Sequence, residues 1–293
     1  MVLERLSLTG TPREVIPRLE AAFRAGRILA PLAEAEWLVA GLLGLGRTDV
    51  YVVQEPLTVD AAEYLEELAA RRLAGEPLQY LIGVVDFCGH RLAVNPSVLI
   101  PRPETEVLVA HAIDRLKQLS RQHANGLQVL ELGTGSGAIA ISLAHAISAC
   151  HLVAVELSWN ALAVAKANIT RHKLDERIRL VCADWTTSVR GSFHLVLANP
   201  PYVTTDEVDH VVPSCHQEPR MSLDGGPDGM RFYRYLWADG ERLVMPGGWI
   251  GVECAEDQAE PLRQAASRLS WVRAATTFHD LTGRPRGLWI ERV

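Results

Sequence analysis

The sequence contains no C-x-x-C pair. Its five cysteines, Cys88, Cys150, Cys182, Cys215 and Cys254, lie far apart, and the histidines do not cluster beside them in the chain. That spacing offers neither a disulfide framework nor a zinc-ligand pattern, so no metal site is expected and a reducing cytoplasm fits. No uncharged apolar run approaches the roughly 18 residues of a membrane span. The start, Met1 to Gly10, carries Glu4 and Arg5 among short apolar pieces and lacks a signal-peptide h-region. An excess of positive charge is missing too. The 29 Lys and Arg against 35 Asp and Glu leave a net charge of −6, so no global basic field recruits nucleic acid. No internal repeat and no low-complexity tract stands out. What remains is a 293-residue chain, 48% apolar, of ordinary soluble composition and with room for two domains.

Residues 1–84 read as helices. Pro12 to Gly26 places Val15, Ile16, Leu19, Ala22 and Phe23 at helical spacing. Pro31 to Gly44 follows, and a third helix starts at the N-cap Thr58 and runs to about Leu73. Residues 85–103 read as a β-hairpin linker. Val85 to Phe87 and Arg91 to Val94 flank Gly89, and Pro101-Arg102-Pro103 stiffens the exit. Residues 104–293 begin with a helix, Glu104 to Leu119, and then alternate strands with helices. Strands are expected at Gln128–Leu132, His151–Glu156, Arg179–Ala183, Phe193–Ala198, Gly248–Cys254, Val272–Phe278 and Leu288–Arg292. Helices are expected at Ala138–Ala149, Trp159–His172, Gly229–Leu243 and Glu256–Leu269. This alternation implies an α/β, doubly wound, mostly parallel sheet. Only a short loop, Asp280–Gly287, joins the last two strands, so they form an antiparallel pair at the sheet edge.

The chemistry gathers at strand ends. Gly133-Thr134-Gly135-Ser136-Gly137 follows the first strand at once and opens a helix. Glycines there let backbone approach a ligand closely, at the end of the sheet where such folds bind ligands. The spacing is G-x-G-x-G and not the dinucleotide G-x-G-x-x-G. The second strand ends in Glu156, roughly 20 residues on, where a carboxylate can accept ribose hydroxyls. The third ends in Asp184 and Trp185: an acceptor for an exocyclic amine, and a ring able to stack on a purine. The fourth ends in Asn199-Pro200-Pro201-Tyr202. The two prolines stop the ladder and stiffen the turn. The Asn199 amide oxygen and the Pro200 carbonyl then form a rigid pair of acceptors beside the flat Tyr202 ring. Such a pair suits a planar NH2 group. No histidine stands at a spacing that compels a general base: His194 lies inside the strand, and His210 and His216 lie in the loop after it. That loop, Thr204 to Gly229, is long and aperiodic and is expected to cover the site.

The glycine loop and the single antiparallel strand resemble the S-adenosylmethionine-dependent methyltransferases. Further stretches narrow the likeness. They are Pro77-Leu78-Gln79-Tyr80-Leu81-Ile82-Gly83, Leu99-Ile100-Pro101-Arg102-Pro103-Glu104-Thr105-Glu106, and Leu130 through Ala140. With them go Asn199-Pro200-Pro201-Tyr202, Glu218-Pro219 and Leu223-Asp224-Gly225-Gly226-Pro227-Asp228-Gly229. Together they resemble the peptide chain release factor glutamine N5-methyltransferases over nearly the whole length. Departures are mild: position 156 is Glu where the family usually has Asp, and position 131 is Glu where Asp is frequent.

The resemblance implies a seven-stranded methyltransferase sheet joined through the hairpin linker to an N-terminal helical substrate-recognition domain. It implies methyl transfer from S-adenosylmethionine to the glutamine of the Gly-Gly-Gln motif in class I release factors. Gly133, Thr134, Gly135, Ser136, Gly137, Glu156, Asp184, Trp185 and Asn199 would then contact the cofactor. Asn199, Pro200, Pro201 and Tyr202 would hold the substrate, with Asn199, Pro200 and Tyr202 serving catalysis. A monomer is expected, with no membrane attachment and no direct nucleic-acid substrate. Ribosomal-protein glutamine methyltransferases and adenine-N6 methyltransferases share Asn-Pro-Pro-Tyr and stay open as alternatives, as does a non-catalytic cofactor-binding module.

Overall fold

The computed structural model describes residues 7–121, 123, 126–210 and 217–293. Contacts divide them into two units, residues 7–84 with Gln217 in one and residues 85–210 and 218–293 in the other.

The first unit is helical: α1 (Pro12–Ala25), α2 (Pro31–Leu43), α3 (Val59–Leu73) and the short α4 (Leu78–Ile82). Local chemistry sets the ends. The Glu14 carboxylate accepts from the Thr11 backbone N–H at 2.8 Å in the first turn of α1. Thr58 Oγ1 accepts from Ala61 N at 3.2 Å and caps α3. Gly44, left-handed at φ 66°, closes α2. The apolar stripes meet in a core of Leu8, Val15, Ile16, Leu19, Phe23, Leu38 and Leu65. The short α4 is absent from the sequence expectation, because five residues are too few to show a helical period.

The second unit opens with the hairpin of β1 (Val84–Phe87) and β2 (His90–Ala93). Its turn residues Cys88 and Gly89 both have positive φ, 49° and 76°, the sign pattern of a type I′ turn. Then come α5 (Pro103–Ser120), β3 (Leu127–Leu132), α6 (Ala138–Ala146), β4 (Cys150–Glu156), α7 (Trp159–Arg171), β5 (Ile178–Cys182) and β6 (Phe193–Ala198). The unit ends with α8 (Arg231–Leu243), β7 (Val244–Glu253), α9 (Ala259–Ser267), β8 (Val272–His279) and β9 (Pro285–Arg292).

Among the described residues these strands form a seven-stranded sheet in the order β5-β4-β3-β6-β7-β9-β8. β9 pairs antiparallel with both β7 and β8, while the pairings among β3 to β7 are parallel. Both faces are covered. Leu127 and Val129 of β3 pack with α5 and α6, whereas Leu130 and Leu132 pack with α8 and α9. That explains the unbroken burial of Phe193–Ala198, which no alternation interrupts. Strand order reverses between β3 and β6, and the crevice of such a sheet lies outside the carboxyl ends of those strands. The register fixes what meets there. Leu132 pairs with Ala198 and with Val155, and Glu156 with Cys182, so Gly133, Asn199 and Glu156 stand at neighbouring tips.

Several expected helices are shorter than their patterns. The helix expected from Gly229 starts at Arg231, because Gly229 sits at φ 69° with Tyr202 O only 2.4 Å from where a Cβ would stand. The helix expected at Ala138–Ala149 ends at Ala146, and Ile147 is already extended. The helix expected from Glu256 opens with a 3-10 turn, Glu256–Gln258. β7 starts at Val244, four residues before the expected Gly248.

The antiparallel insertion needs bare positions. A Cβ on Gly287 of β9 would lie 2.0 Å from Val252 O and 2.4 Å from the Phe278 ring. Gly287→Ala is expected to lower stability by about 3 kcal/mol through overpacking and strand displacement. Urea unfolding should show the fall as a lower midpoint with unchanged slope. A variant as stable as the parent would contradict this close approach.

Candidate functional site

A cavity of about 700 Å³ opens at the strand tips. Gly133, Gly135, Glu156, Asp184, Trp185, Asn199 and Pro201 line it. So do Val98 and Leu99 from the segment before α5, Met221 and Asp224 from the loop after β6, and Phe232 and Tyr235 from α8.

The glycine loop is held from below by a buried acid. Glu131, within β3, is 1% exposed and accepts from Thr134 Oγ1 at 2.8 Å. Burial pushes its carboxyl up to about 8, against the opposing hydrogen bonds from Thr134 and from the Ala140 N–H in the first turn of α6. Asn168 Nδ2 donates to Ser136 O at 2.9 Å. Thr134 and Ser136 are both buried. Alternate residues of the loop therefore divide the work: Gly133 and Gly135 line the cavity, while Thr134 and Ser136 brace the loop from behind. Gly137 starts α6 at φ 84°.

The elevated pKa of Glu131 has a defined sign. A carboxyl whose folded-state pKa lies above its value of 4.5 in the free state binds a proton on folding. It therefore lowers stability most above pH 8, and that cost vanishes below about 4.5. Glu131→Gln is expected to remove this contribution, so the stability of the variant rises less than that of the parent on acidification from pH 9 to 6. Chemical unfolding at both pH values measures it, and an unchanged pH response would contradict the buried charge.

Glu156 is fixed where β4 ends. Its carboxylate accepts from Gly135 N at 3.0 Å, Leu157 N at 2.9 Å and Ser158 N at 3.0 Å. That uses three of about four lone-pair positions and ties the first two strand tips together. Trp185, at the unusual φ of 47° for an aromatic residue, stacks on Phe232 with centroids 4.4 Å apart. One face of its ring is thus already taken, a partner that sequence spacing could not reveal.

Asn199 is anchored by a buried relay. Its Nδ2 donates to Thr105 Oγ1 at 3.0 Å, and Thr105 Oγ1 donates to Glu253 Oε2 at 2.7 Å. Thr105 and Glu253 are 4% and 3% exposed. Burial pushes the Glu253 carboxyl up to about 7. The Tyr233 hydroxyl donates to the Glu253 backbone carbonyl at 2.7 Å and steadies that strand end.

Pro200 and Tyr202 do not appear in the cavity lining. Pro200 is buried, and Tyr202 packs against the core that contains α8, with burial holding its phenol well above the usual value. The reason is local: Gln258 Nε2 donates to Tyr202 O at 2.9 Å, and the Gly225–Gly229 turn presses on the same backbone. His194 is likewise inside the fold, its Nδ1 accepting from Gln128 N at 3.0 Å. His216, and residues 211–216 of the loop expected to cover the site, lie outside the described residues. Glu218, beyond them, is 5% exposed; it accepts from Ile100 N at 3.0 Å and pairs with Arg102 at 2.5 Å. It pins the Ile100-Pro101-Arg102 segment beside the cavity.

Comparison with known proteins then places the chain. Residues 14–83 match the PrmC N-terminal domain, and residues 108–217 match the methyltransferase small domain. A release factor glutamine methyltransferase from Geobacter sulfurreducens is 39% identical over 238 residues, 80% of this chain and 81% of its own. Another, from Moorella thermoacetica, is 34% identical over 94% of this chain and 96% of its own. The chain belongs to the release factor glutamine methyltransferase family. In structure it is similar to the hMettl16 catalytic domain solved with MAT2A 3′UTR hairpin 6, with a TM-score of 0.55 over 82% of this chain and 84% of that one. At 16% identity that likeness speaks for the fold alone. Among the described residues, no helix of this family member is long and apolar enough to cross a membrane.

Proposed function

We infer that this enzyme transfers a methyl group from S-adenosylmethionine to the side-chain amide nitrogen of a release factor glutamine. One observation carries the reading. Asn199 lines the same cavity as Gly133 and Gly135, and its amide is oriented by Thr105 and Glu253.

The cavity fits the cofactor. A Cβ added at Gly133 or Gly135 would meet no atom within 4 Å, so the loop leaves open space where side chains would otherwise stand. Glu156, Asp184 and Trp185 offer two carboxylates and a ring around it. Bound there, S-adenosylmethionine supplies an electrophilic methyl group on a sulfonium centre.

The protein's contribution is alignment. Ionised Glu253 can only accept, so Thr105 must donate to it. The Thr105 oxygen then accepts, so Asn199 turns its NH2 toward Thr105. Its Oδ1 is left as the acceptor for a substrate. A primary amide nitrogen is a poor nucleophile, because its lone pair is delocalised into the carbonyl. Asn199 Oδ1 accepts one of its N–H protons, fixes the lone pair in line, and stabilises the positive charge that develops on nitrogen. Near-attack alignment of this kind supplies on the order of 7–11 kcal/mol of a barrier. The nitrogen then releases one proton to water.

Residues 1–84 form the release factor docking module in this proposal, and Pro201, which lines the cavity, frames the amide. The enzyme acts as a cytoplasmic monomer on protein; its net charge of −6 opposes a nucleic-acid substrate. The test offers tritiated cofactor in parallel to class I release factors, ribosomes and DNA, with mass mapping of the labelled residue. Label on the Gly-Gly-Gln glutamine is expected. Label confined to a ribosomal protein or to adenine overturns the proposal.

A further inference from the structure

Three histidines that are distant in sequence converge at the far side of the second unit. His90 begins β2, His145 lies in the last turn of α6, and His172 follows α7. One ring nitrogen from each lies within 4.8 Å of the others. His145 Nε2 and His172 Nδ1 are 3.2 Å apart, and His172 Nε2 is 3.1 Å from Arg91 O. The His90 ring stacks on His145 at 4.4 Å and meets His172 edge-on at 5.7 Å.

These distances carry a chemical message. Arg91 O can only accept, so His172 Nε2 holds the ring proton and Nδ1 of the neutral ring carries a lone pair. A histidine ligand commonly donates its other N–H to a backbone carbonyl in this way. Two imidazole nitrogens on one tetrahedral zinc ion, each at about 2.0–2.1 Å, stand about 3.3 Å apart. The His145–His172 pair already has that separation. Its contact is a hydrogen bond when His145 carries its proton on Nε2. Moving that proton to Nδ1 of the same ring frees the second lone pair without any change of charge. His90, half-buried at the start of β2, brings a ring nitrogen within 4.8 Å of the other two and supplies the third ligand.

We propose that His90, His145 and His172 form a zinc site that clamps the β1–β2 hairpin to the carboxyl ends of α6 and α7. Three imidazoles and no thiolate select zinc, nickel or copper over magnesium or calcium, which demand oxygen ligands. The site is separate from the cavity. α6 starts at Gly137 beside the glycine loop, and α7 starts beside Ser158, which lines the cavity. His145 and His172 stand at the opposite ends of these helices, His145 about 12 Å from the start of α6 at 1.5 Å per residue. With three protein ligands, the site leaves its fourth tetrahedral position to water. It joins the hairpin to the two helices that carry the cofactor loop and Ser158.

The experiment uses the full chain, tag removed and dialysed against EDTA. It is titrated with zinc chloride by calorimetry and, in parallel, with Co²⁺ to read the visible absorption of a tetrahedral site. One equivalent should bind with micromolar or tighter affinity, and a hundredfold excess over Kd should raise the thermal midpoint by about 3 °C or more. His145→Ala and His172→Ala should each weaken zinc binding at least tenfold while melting without metal like the parent. His145→Gln, which preserves volume, covers the case in which alanine disturbs the helix end. Binding that survives equally in all these variants, or no one-to-one binding below about 100 μM, overturns the proposal. Methyl transfer is not the readout, so the outcome is independent of the assigned reaction.

Discussion

Asn199→Ala is expected to abolish detectable methyl transfer while S-adenosylmethionine binds within about twofold of the parent. The side chain's hydrogen bonds run to Thr105 and Glu253, and its removal leaves the glycine loop, Glu156 and their mutual bonds untouched. What disappears is the acceptor that holds one N–H of the substrate amide. Losing one aligned hydrogen-bonding group at a site of developing charge costs about 10²–10³ in kcat. Here the same group also sets the attack angle, so the upper end or beyond is expected. Purified release factor and radiolabelled cofactor give the rate, and calorimetry with S-adenosylmethionine gives the affinity. Comparable turnover in variant and parent would refute the assigned role. A matched loss of cofactor affinity would move Asn199 from substrate alignment to cofactor binding. Asn199→Asp is impaired as well: it still accepts hydrogen bonds, but it faces Thr105 with no donor and sets a charge near Glu253.

The strand tips were legible in the sequence for a physical reason. A parallel sheet covered on both faces needs uninterrupted apolar runs, and its ligand groups must stand just past them. Phe193–Ala198, buried throughout and followed by Asn199, comes close to that form, and Leu127–Leu132 followed by Gly133 keeps it apart from Gln128 and Glu131. The inserted β9 was also legible, since Asp280–Gly287 is too short for a crossover. The partners of those groups were not. Thr105 is 94 residues from Asn199 and 148 from Glu253, and nothing local marks it as different from any helix-start threonine. Glu131 stands within an apolar strand, and only the folded structure reveals Thr134 and the first turn of α6 as its partners. Aromatic placement was the weakest inference. A ring after a strand can face a ligand or the core with equal local logic. Tyr202 packs on the core and Trp185 gives one face to Phe232. The three histidines went unseen because the hairpin, α6 and α7 each supply only one.

Glu253 predicts a rise of kcat with pH through an apparent pKa near 7. When ionised, it accepts from Thr105 and thereby turns the Asn199 NH2 inward, leaving Oδ1 for the substrate. When protonated, its own O–H can donate to Thr105, whose hydroxyl is then free to donate toward Asn199. That reversal draws Oδ1 away from the substrate and presents it with an N–H instead. The protonated form is therefore the less active one, and activity is gained as pH rises. Stability runs the other way. The folded-state pKa lies above the 4.5 of a free glutamate, so folding takes up a proton. The contribution of this group to stability is best below about pH 4.5 and is lost as pH rises through 7. Glu253→Gln separates the two effects. It keeps the shape and an acceptor but cannot titrate, so its kcat should lose the step near pH 7. Thr105→Val removes the relay at nearly constant volume and leaves a buried carboxylate without its donor, a cost of about 1–3 kcal/mol. With the Asn199 amide no longer held in place, kcat is expected to fall by up to about a hundredfold, with KM for S-adenosylmethionine little changed. A purely structural role for Thr105 and Glu253 would lower stability in both variants but preserve the step near pH 7 in Glu253→Gln. Persistence of that step would reassign the titration to another group and break the link between Glu253 and the amide of Asn199.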